Sequence, residues 1–142
     1  MIKIKVEGID DIGKTLETLA PRHAQNIMRA TVHGIAAGVA KDARKLAPSD
    51  GPPLTLRPAI KARREKVRFG RIESTVRVKP KAFFWRFLEY GQGPDGVEHA
   101  FFLKAVLKTA AQLDNILVEQ FGKKLIAAIK RADKRGGSIF GD

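Results

Sequence analysis

The period of the hydrophobic pattern changes twice along this chain, and those changes confine it to a mixed architecture. Between residues 21 and 46 apolar side chains recur with helical spacing. Ile27, Thr31, Ile35, Val39 and Ala43 fall on one stripe, flanked by Val32, Ala36 and Leu46. From 64 to 79 the period drops to two. Val67 and Phe69 alternate with Arg64, Lys66 and Arg68. After Gly70, the residues Ile72, Ser74, Val76 and Val78 alternate with Arg71, Glu73, Thr75, Arg77 and Lys79. Helical spacing returns in Leu103, Leu107, Ala110, Leu113, Leu117, Phe121, Leu125 and Ile129. The pattern predicts an α+β fold: a small antiparallel β-sheet packed with a long central helix and a long C-terminal helix.

Turn and capping residues set the expected boundaries. Ile2, Ile4 and Val6 alternate with Lys3, Lys5 and Glu7, which predicts an opening strand ended by Gly8. Asp10 or Asp11 suits the N-cap of a short helix toward Leu19, and Pro21 suits the first turn of the next. Ala47-Pro48 and the Ser-Asp-Gly-Pro-Pro run after it stop that helix in a loop. The period-two segment is expected to be a hairpin with one apolar and one cationic face, closed by Pro80. The last helix should run from His99 or Phe101 to about Arg131, roughly 45 Å at ~1.5 Å per residue. That length predicts that part of it packs beyond its own core or projects, with Gly122 marking a bend or close contact. Residues 135–142 read as a flexible tail behind a single domain at 1–134.

Composition narrows the chemistry. With 142 residues and 44% hydrophobic content the chain can bury one core without staples. It has no cysteine, which removes disulfides, thiol catalysis and cysteine-based zinc sites together. No apolar run approaches the ~20 residues of a membrane span, and the alternating start does not resemble an export signal. His23, His33 and His99 show no ligand spacing. Residues 91–96 spell G-x-G-x-x-G, but Pro94 stiffens the run and the candidate acid, Asp114, falls inside a predicted helix, so a loop is the better account. Gly34 and Gly38 form a G-x-x-x-G that suits close packing of two soluble helices. No nucleophile set stands out, so the expectation is a non-enzyme without cofactor or metal.

Two features remain as functional candidates. The segment 83–107 holds five of the eight Phe, the only Trp (Trp85) and the only Tyr (Tyr90). Aromatic side chains dominate core and interface energetics. Within it Phe84, Phe87 and Leu88 would share one helical side. Glu89 needs a partner if buried: Arg86, an amide of residues 91–93 as an internal cap, or a neighbouring subunit. The second feature is charge. The chain carries +12, and residues 57–81 hold ten basic residues against Glu65 and Glu73, or +8 of that total. Such a field suits a polyanionic partner, either nucleic acid or an acidic protein surface. On the proposed cationic face stand Arg64, Lys66, Arg68, Arg71, Arg77 and Lys79. The alternative is a solvated strand face that blunts edge pairing.

Four segments, in order, resemble the gene-product-ten-like family of long-tailed phages, proteins of head–tail joining and tail completion. VEGIDDI (6–12) resembles its opening strand, glycine and first helix; KDARKLAP (41–48) its long helix closed by Ala-Pro. FFWRFLEYG (83–91) resembles its aromatic signature, and HAFFLKAV (99–106) the motif that opens its last helix. The chain departs from the pattern in SDGPPLTLRPAI (49–60), in Gln92, and in Ala100 and Lys104 where prolines are usual. The resemblance implies a non-catalytic structural protein of the virion neck or tail, assembled in the bacterial host cytoplasm, in a phage or prophage. Its implied partners are copies of itself in a ring (six being one size), neighbouring connector and tail proteins, and packaged DNA in the lumen, with no membrane. Phe84, Trp85, Phe87, Glu89, Tyr90, Gly91, Phe101, Phe102 and Leu103 are the implied subunit-interface or structural residues, and the cationic face would meet DNA or an acidic partner. The residues also allow a freestanding basic nucleic-acid-binding protein using the 57–81 hairpin, recognisable by salt-sensitive binding of the isolated chain. A small basic ribonuclease lacks a convincing acid–base pair.

Overall fold

One long helix organises the chain. The computed structural model describes residues 8–48, 56–92 and 96–141. In it helix α2 (Pro21–Leu46) packs against α3 (Leu56–Ala59), β1 (Ile60–Arg64), β2 (Ser74–Val78), α5 (Phe101–Ala111) and α6 (Leu113–Lys134). Two short helices complete the set: α1 (Ile9–Thr18), and α4 (Trp85–Glu89), which follows a 3-10 turn at Pro80–Ala82. The fold is α+β, with the bounds of α2 where its Pro21 and Ala47-Pro48 signals set them. The predicted opening strand and most of the 47–53 loop lie outside the described residues.

Two apolar clusters sit at opposite ends of α2. Ala40, Ala43 and Ala47 meet Leu56, Ala59, Ile60, Ala82, Phe101 and Ala105 at its C-terminal end. The small alanines leave room for the fully buried Phe101. At the other end Ile27 meets Ile12 and Leu19 of the α1 region, Phe121, Leu125 and Ala128 of α6, and Ile139. Fully burying each of Phe101 and Phe121 stabilises the fold by about 2–3 kcal/mol. Gly34 faces α6, where an added Cβ would run into the Gln120 side chain, whereas nothing approaches Gly38. Close helix packing therefore uses only the first glycine of the pair.

Local capping departs from the expected in one place. The α1 N-cap is Gly8, and the Asp11 carboxylate accepts the Gly8 N–H at 3.2 Å, so the acid acts from inside the first turn.

The predicted last helix is two helices. Gln112 (φ −126°, ψ 26°) separates α5 from α6. In an unbroken helix Ala105 and Phe121 would point about 160° apart at ~100° per residue, yet both belong on α2. The break lets each half present its own buried set: Phe101 and Ala105, then Phe121, Leu125 and Ala128. The first half of the expected apolar stripe consequently turns outward, leaving Leu103, Leu107 and Leu113 exposed.

The segment after α6 is docked, in contrast to the flexible tail expected. Ile139 is buried, Phe140 bridges Leu19, and Ala20 N–H donates to the Ile139 carbonyl at 3.0 Å. Gly141 N–H reaches the Thr18 carbonyl at 2.8 Å. The apolar pair Ile139-Phe140 inside a glycine-rich run is what anchors it.

Candidate functional site

The aromatic segment divides into a buried and an exposed half. Phe84, Trp85, Leu88 and Phe102 pack against the first core cluster, and the Trp85 and Phe102 rings meet edge-on at 5.2 Å between centroids. Phe101 and Phe102 lie 4.7 Å apart, and the Arg86 guanidinium sits 5.5 Å from the Trp85 ring centre, a cation–π contact. Phe83, Phe87 and Tyr90 face outward, so Phe87 does not share the buried side with Phe84 and Leu88. With Val78, Lys79, Pro80, Trp85 and Arg86 they line a concavity of about 620 Å³.

Glu89 joins the two parts of this segment. It is 5% exposed, and its carboxylate accepts the Phe102 N–H at 3.0 Å and the Leu103 N–H at 3.1 Å. These amides belong to the first turn of α5, whose N-cap Ala100 is left-handed (φ 45°) and provides no capping side chain. Glu89 thus caps α5 from a different helix, placing a negative charge at the positive end of the helix dipole. Among the described residues its partners are these two amides, not Arg86 or the amides of Gly91 and Gln92. Gly91 takes φ 79°, and its turn lets the chain double back so that His99 and Ala100 N–H donate to the Leu88 and Glu89 carbonyls at 3.0 and 3.2 Å.

The hairpin begins earlier than expected. Ile60 pairs with Val78, Ala62 with Val76 and Arg64 with Ser74. Ile60, Ala62, Val76 and Val78 are thereby on the face that meets α2. The other face carries Lys61 opposite Arg77 and Arg63 opposite Thr75. Arg64 therefore belongs to the same side as Ser74, not to the side of Arg77. Between the Arg64–Ser74 pair and the Arg68–Arg71 bridge the register shifts by one residue. The six cations named from the sequence are all exposed. Arg64, Lys66, Arg68, Arg71 and Arg77 line one concavity of about 720 Å³ together with Glu65 and Glu73. The regular pairing nevertheless puts Arg64 and Arg77 on opposite sides of the ribbon, and Lys79 lies outside the concavity. Alternation alone misses this, because it specifies neither the strand start nor the shift.

Two of these cations are partly neutralised. Glu65 accepts from Thr75 Oγ1 at 2.8 Å and from the Arg77 guanidinium at 3.0 Å, and Arg71 lies 3.7 Å from Glu73. The Thr75 hydrogen bond, with the nearby Arg77 and Arg63, holds the Glu65 carboxyl below its usual range. At the tip, Phe69 (φ 52°) and Gly70 (φ 71°) make a two-residue turn closed by Arg71 N–H to the Arg68 carbonyl at 2.9 Å. Phe69 is fully exposed in a left-handed conformation that bulky residues avoid.

A further concentration of cations was not legible as a group. Arg22 and Arg29 of α2, Lys124, Arg131 and Arg135 at the far end of the chain, and Arg64 of the hairpin line one cleft. Their helical spacing could have flagged each ridge separately; only the antiparallel packing of α2 on α6 joins them.

Among the described residues no group of three or more His, Cys, Asp or Glu is placed to hold a metal ion, and no helix is long and apolar enough to cross a membrane. A family model described as "Bacteriophage HK97-gp10, putative tail-component" matches residues 10–91, more than half of the chain. The chain belongs to this HK97-gp10-like family of phage tail components. No curated protein and no solved structure matches it. The matched region runs from α1 through the hairpin to the aromatic segment and stops before α5.

Proposed function

We propose that the chain is a non-catalytic structural subunit of the head–tail junction of a tailed phage or prophage, built from copies of itself arranged in a ring. The observation that carries this reading is the apolar surface left uncovered on a protein whose core is already filled. Phe83, Phe87 and Tyr90 around α4 and Leu103, Val106 and Leu107 on α5 are all exposed. In a tail component such a surface suits contact with another subunit, since contiguous exposed apolar area marks interaction sites. The outward hairpin, with Phe69 at its tip between Arg68 and Arg71, supplies a second contact element aimed at an acidic neighbour or at DNA in the lumen. Heterologous contacts of this kind close rings. The protein would then reside in the virion and be assembled in the cytoplasm of the bacterial host.

The test is deletion of the gene from its parent phage, followed by induction and negative-stain electron microscopy of the lysate. Filled heads separate from tails, or tails of uncontrolled length, are the expected outcome. Intact, infectious particles would overturn the assignment.

A further inference from the structure

We propose that the cleft between the N-terminal half of α2 and the C-terminal half of α6 binds the phosphodiester backbone of nucleic acid. This site adjoins the cationic hairpin, sharing Arg64 with it but none of its other cations, and the proposal does not depend on the assembly role above. The cleft has a volume of about 370 Å³ and is lined by Arg22, Arg29, Arg64, Lys124, Arg131 and Arg135, with no carboxylate among its lining residues. Arg29 has a structural task, since its guanidinium donates to the Glu65 carbonyl at 3.3 Å. The side chains of the other five have no hydrogen-bond or ion-pair partner among the described residues. Like charges held around one concavity repel each other, and a bound polyanion relieves that repulsion.

The geometry favours phosphates. Arg22 and Arg29 are seven residues apart on one helix, and Lys124, Arg131 and Arg135 follow one another at spacings of seven and four on the other. Each set forms a ridge along its helix. The α6 ridge is about 16 Å long at ~1.5 Å per residue, which matches roughly five nucleotide steps of one strand at ~3.4 Å. Five of the six cations are arginines, whose planar fork suits phosphate oxygens. The apolar lining is limited to small or buried residues (Ala30, Ala128, Ala132, Ile27 and Ile139) and offers no aromatic anchor of the kind protein interfaces use. Sequence-blind phosphate binding needs none.

His33 provides an internal reporter. Burial, Arg64 and Lys124 together hold its pKa below the ordinary value, and its Nδ1 is buried without a partner among the described residues. Phosphates docked beside Arg64 and Lys124 would offset those two charges and raise it.

The experiment measures fluorescence anisotropy of a labelled 24-base-pair duplex over a salt series, as roughly that length covers two helical turns. The variants are the full chain, a cleft variant (Arg22→Gln, Arg131→Gln, Arg135→Gln) and a control with equal charge loss elsewhere (Lys41→Gln, Lys45→Gln, Lys104→Gln). All six positions are exposed. If the cleft holds phosphates, its variant loses about 2–3 from the slope of log K against log salt and about two orders of magnitude in affinity near 0.1 M salt. The control stays close to the unaltered chain. In parallel, the His33 imidazole of the unaltered chain, followed by NMR, titrates at higher pH with duplex than without. Equal losses in the two variants would show that only net charge matters and overturn the site. So would a His33 titration indifferent to duplex, a result that needs no variant to fold. Binding of poly-glutamate as tight as duplex, with the same loss in the cleft variant, would overturn the phosphate assignment in favour of an acidic protein partner.

Discussion

Glu89 is the residue on which the junction of the aromatic segment and α5 depends, and its replacement gives a sharp expected result. In the folded chain its two carboxylate oxygens take the Phe102 and Leu103 amides at 3.0 and 3.1 Å in a site that is 5% exposed. Glu89→Ala leaves both amides without their acceptor. A hydrogen bond to a charged group contributes about 1.5–3 kcal/mol, and because these amides are only partly buried, with Leu103 exposed, water can take up part of what the carboxylate leaves. Two such bonds, partly offset because the carboxylate no longer has to be desolvated, give a loss of about 3–4 kcal/mol. Glu89→Gln keeps one carbonyl oxygen, but turns an N–H donor toward the other amide and removes the favourable charge at the helix end. Its cost should be about 2 kcal/mol.

Urea unfolding measures both. With a slope near 2 kcal/mol per molar, the midpoint should fall by about 1.5–2 M for the alanine variant and about 1 M for the glutamine variant. Trp85, the only tryptophan, lies 5.2 Å from the Phe102 ring and reports the loosening directly. Its emission should shift to the red before far-UV circular dichroism is lost, because α5 detaches ahead of α2 and α6. An alanine variant within about 0.5 kcal/mol of the unaltered chain would refute the reasoning, since surface substitutions alone stay within that range.

Other outcomes follow from the same geometry. Phe69→Asn places the residue favoured by a two-residue turn with positive φ and should raise the melting temperature by about 3 °C for ~1 kcal/mol, while weakening any contact made through the tip; calorimetry measures the first. Ile139→Ala should cost about 2–4 kcal/mol as a buried large-to-small change and lower the melting temperature by about 6–12 °C; an unchanged value would return 135–141 to the status of a free tail. The depressed Glu65 pKa means that its contribution is present above the unfolded value, 4.5, and is lost as pH falls through the lower folded value. The protection factors of the amides around Thr75 and Arg77, taken relative to the intrinsic exchange rate at each pH, should therefore fall in acid, and Glu65→Gln should abolish that dependence. For His33, likewise depressed from 6.5, the contribution is complete above that pH and declines below it; His33→Gln should flatten the stability profile between neutral and mildly acid pH.

What could be read in advance was whatever local chemistry alone decides. Pro21 and the Ala47-Pro48 stop bound α2 by steric and hydrogen-bonding rules that need no partner. Gly70 placed the turn, but not the strand start at Ile60, which the core selects by burying that side chain completely. The long stripe from Leu103 to Ile129 failed for a related reason: one helical register satisfied the pattern, whereas α2 demanded two, so the chain broke at Gln112. Glu89 could be named as a buried acid needing a partner. That the partner was the start of α5 depends on the chain doubling back through His99 and Ala100, a tertiary fact. The cationic cleft is of the same kind, for its two ridges lie about a hundred residues apart and meet only because α6 runs antiparallel to α2.

The placement of these surfaces along α2 has a consequence for how the protein could work. The exposed aromatic and aliphatic side chains of α4 and α5 surround the core cluster built on Ala40, Ala43 and Ala47, whereas the cationic cleft begins at Arg22 and Arg29. Along the helix these positions are about 15–35 Å apart at ~1.5 Å per residue. Sites so far apart, sharing no side chain, are energetically independent to within a few tenths of a kcal/mol. Neighbouring subunits could then be gained or lost at the apolar end without disturbing the polyanion contact, and salt that loosens the cleft would leave the apolar contacts intact. Mixing the two chemistries on one face would have coupled them, since burying arginines under a protein neighbour carries a desolvation cost that grows with every unpaired charge. A single rigid helix carrying the apolar contact at one end and the cationic contact at the other avoids that conflict. For this reason the cleft variant is expected to retain the oligomeric state of the unaltered chain in size-exclusion chromatography even where its affinity for duplex is lost.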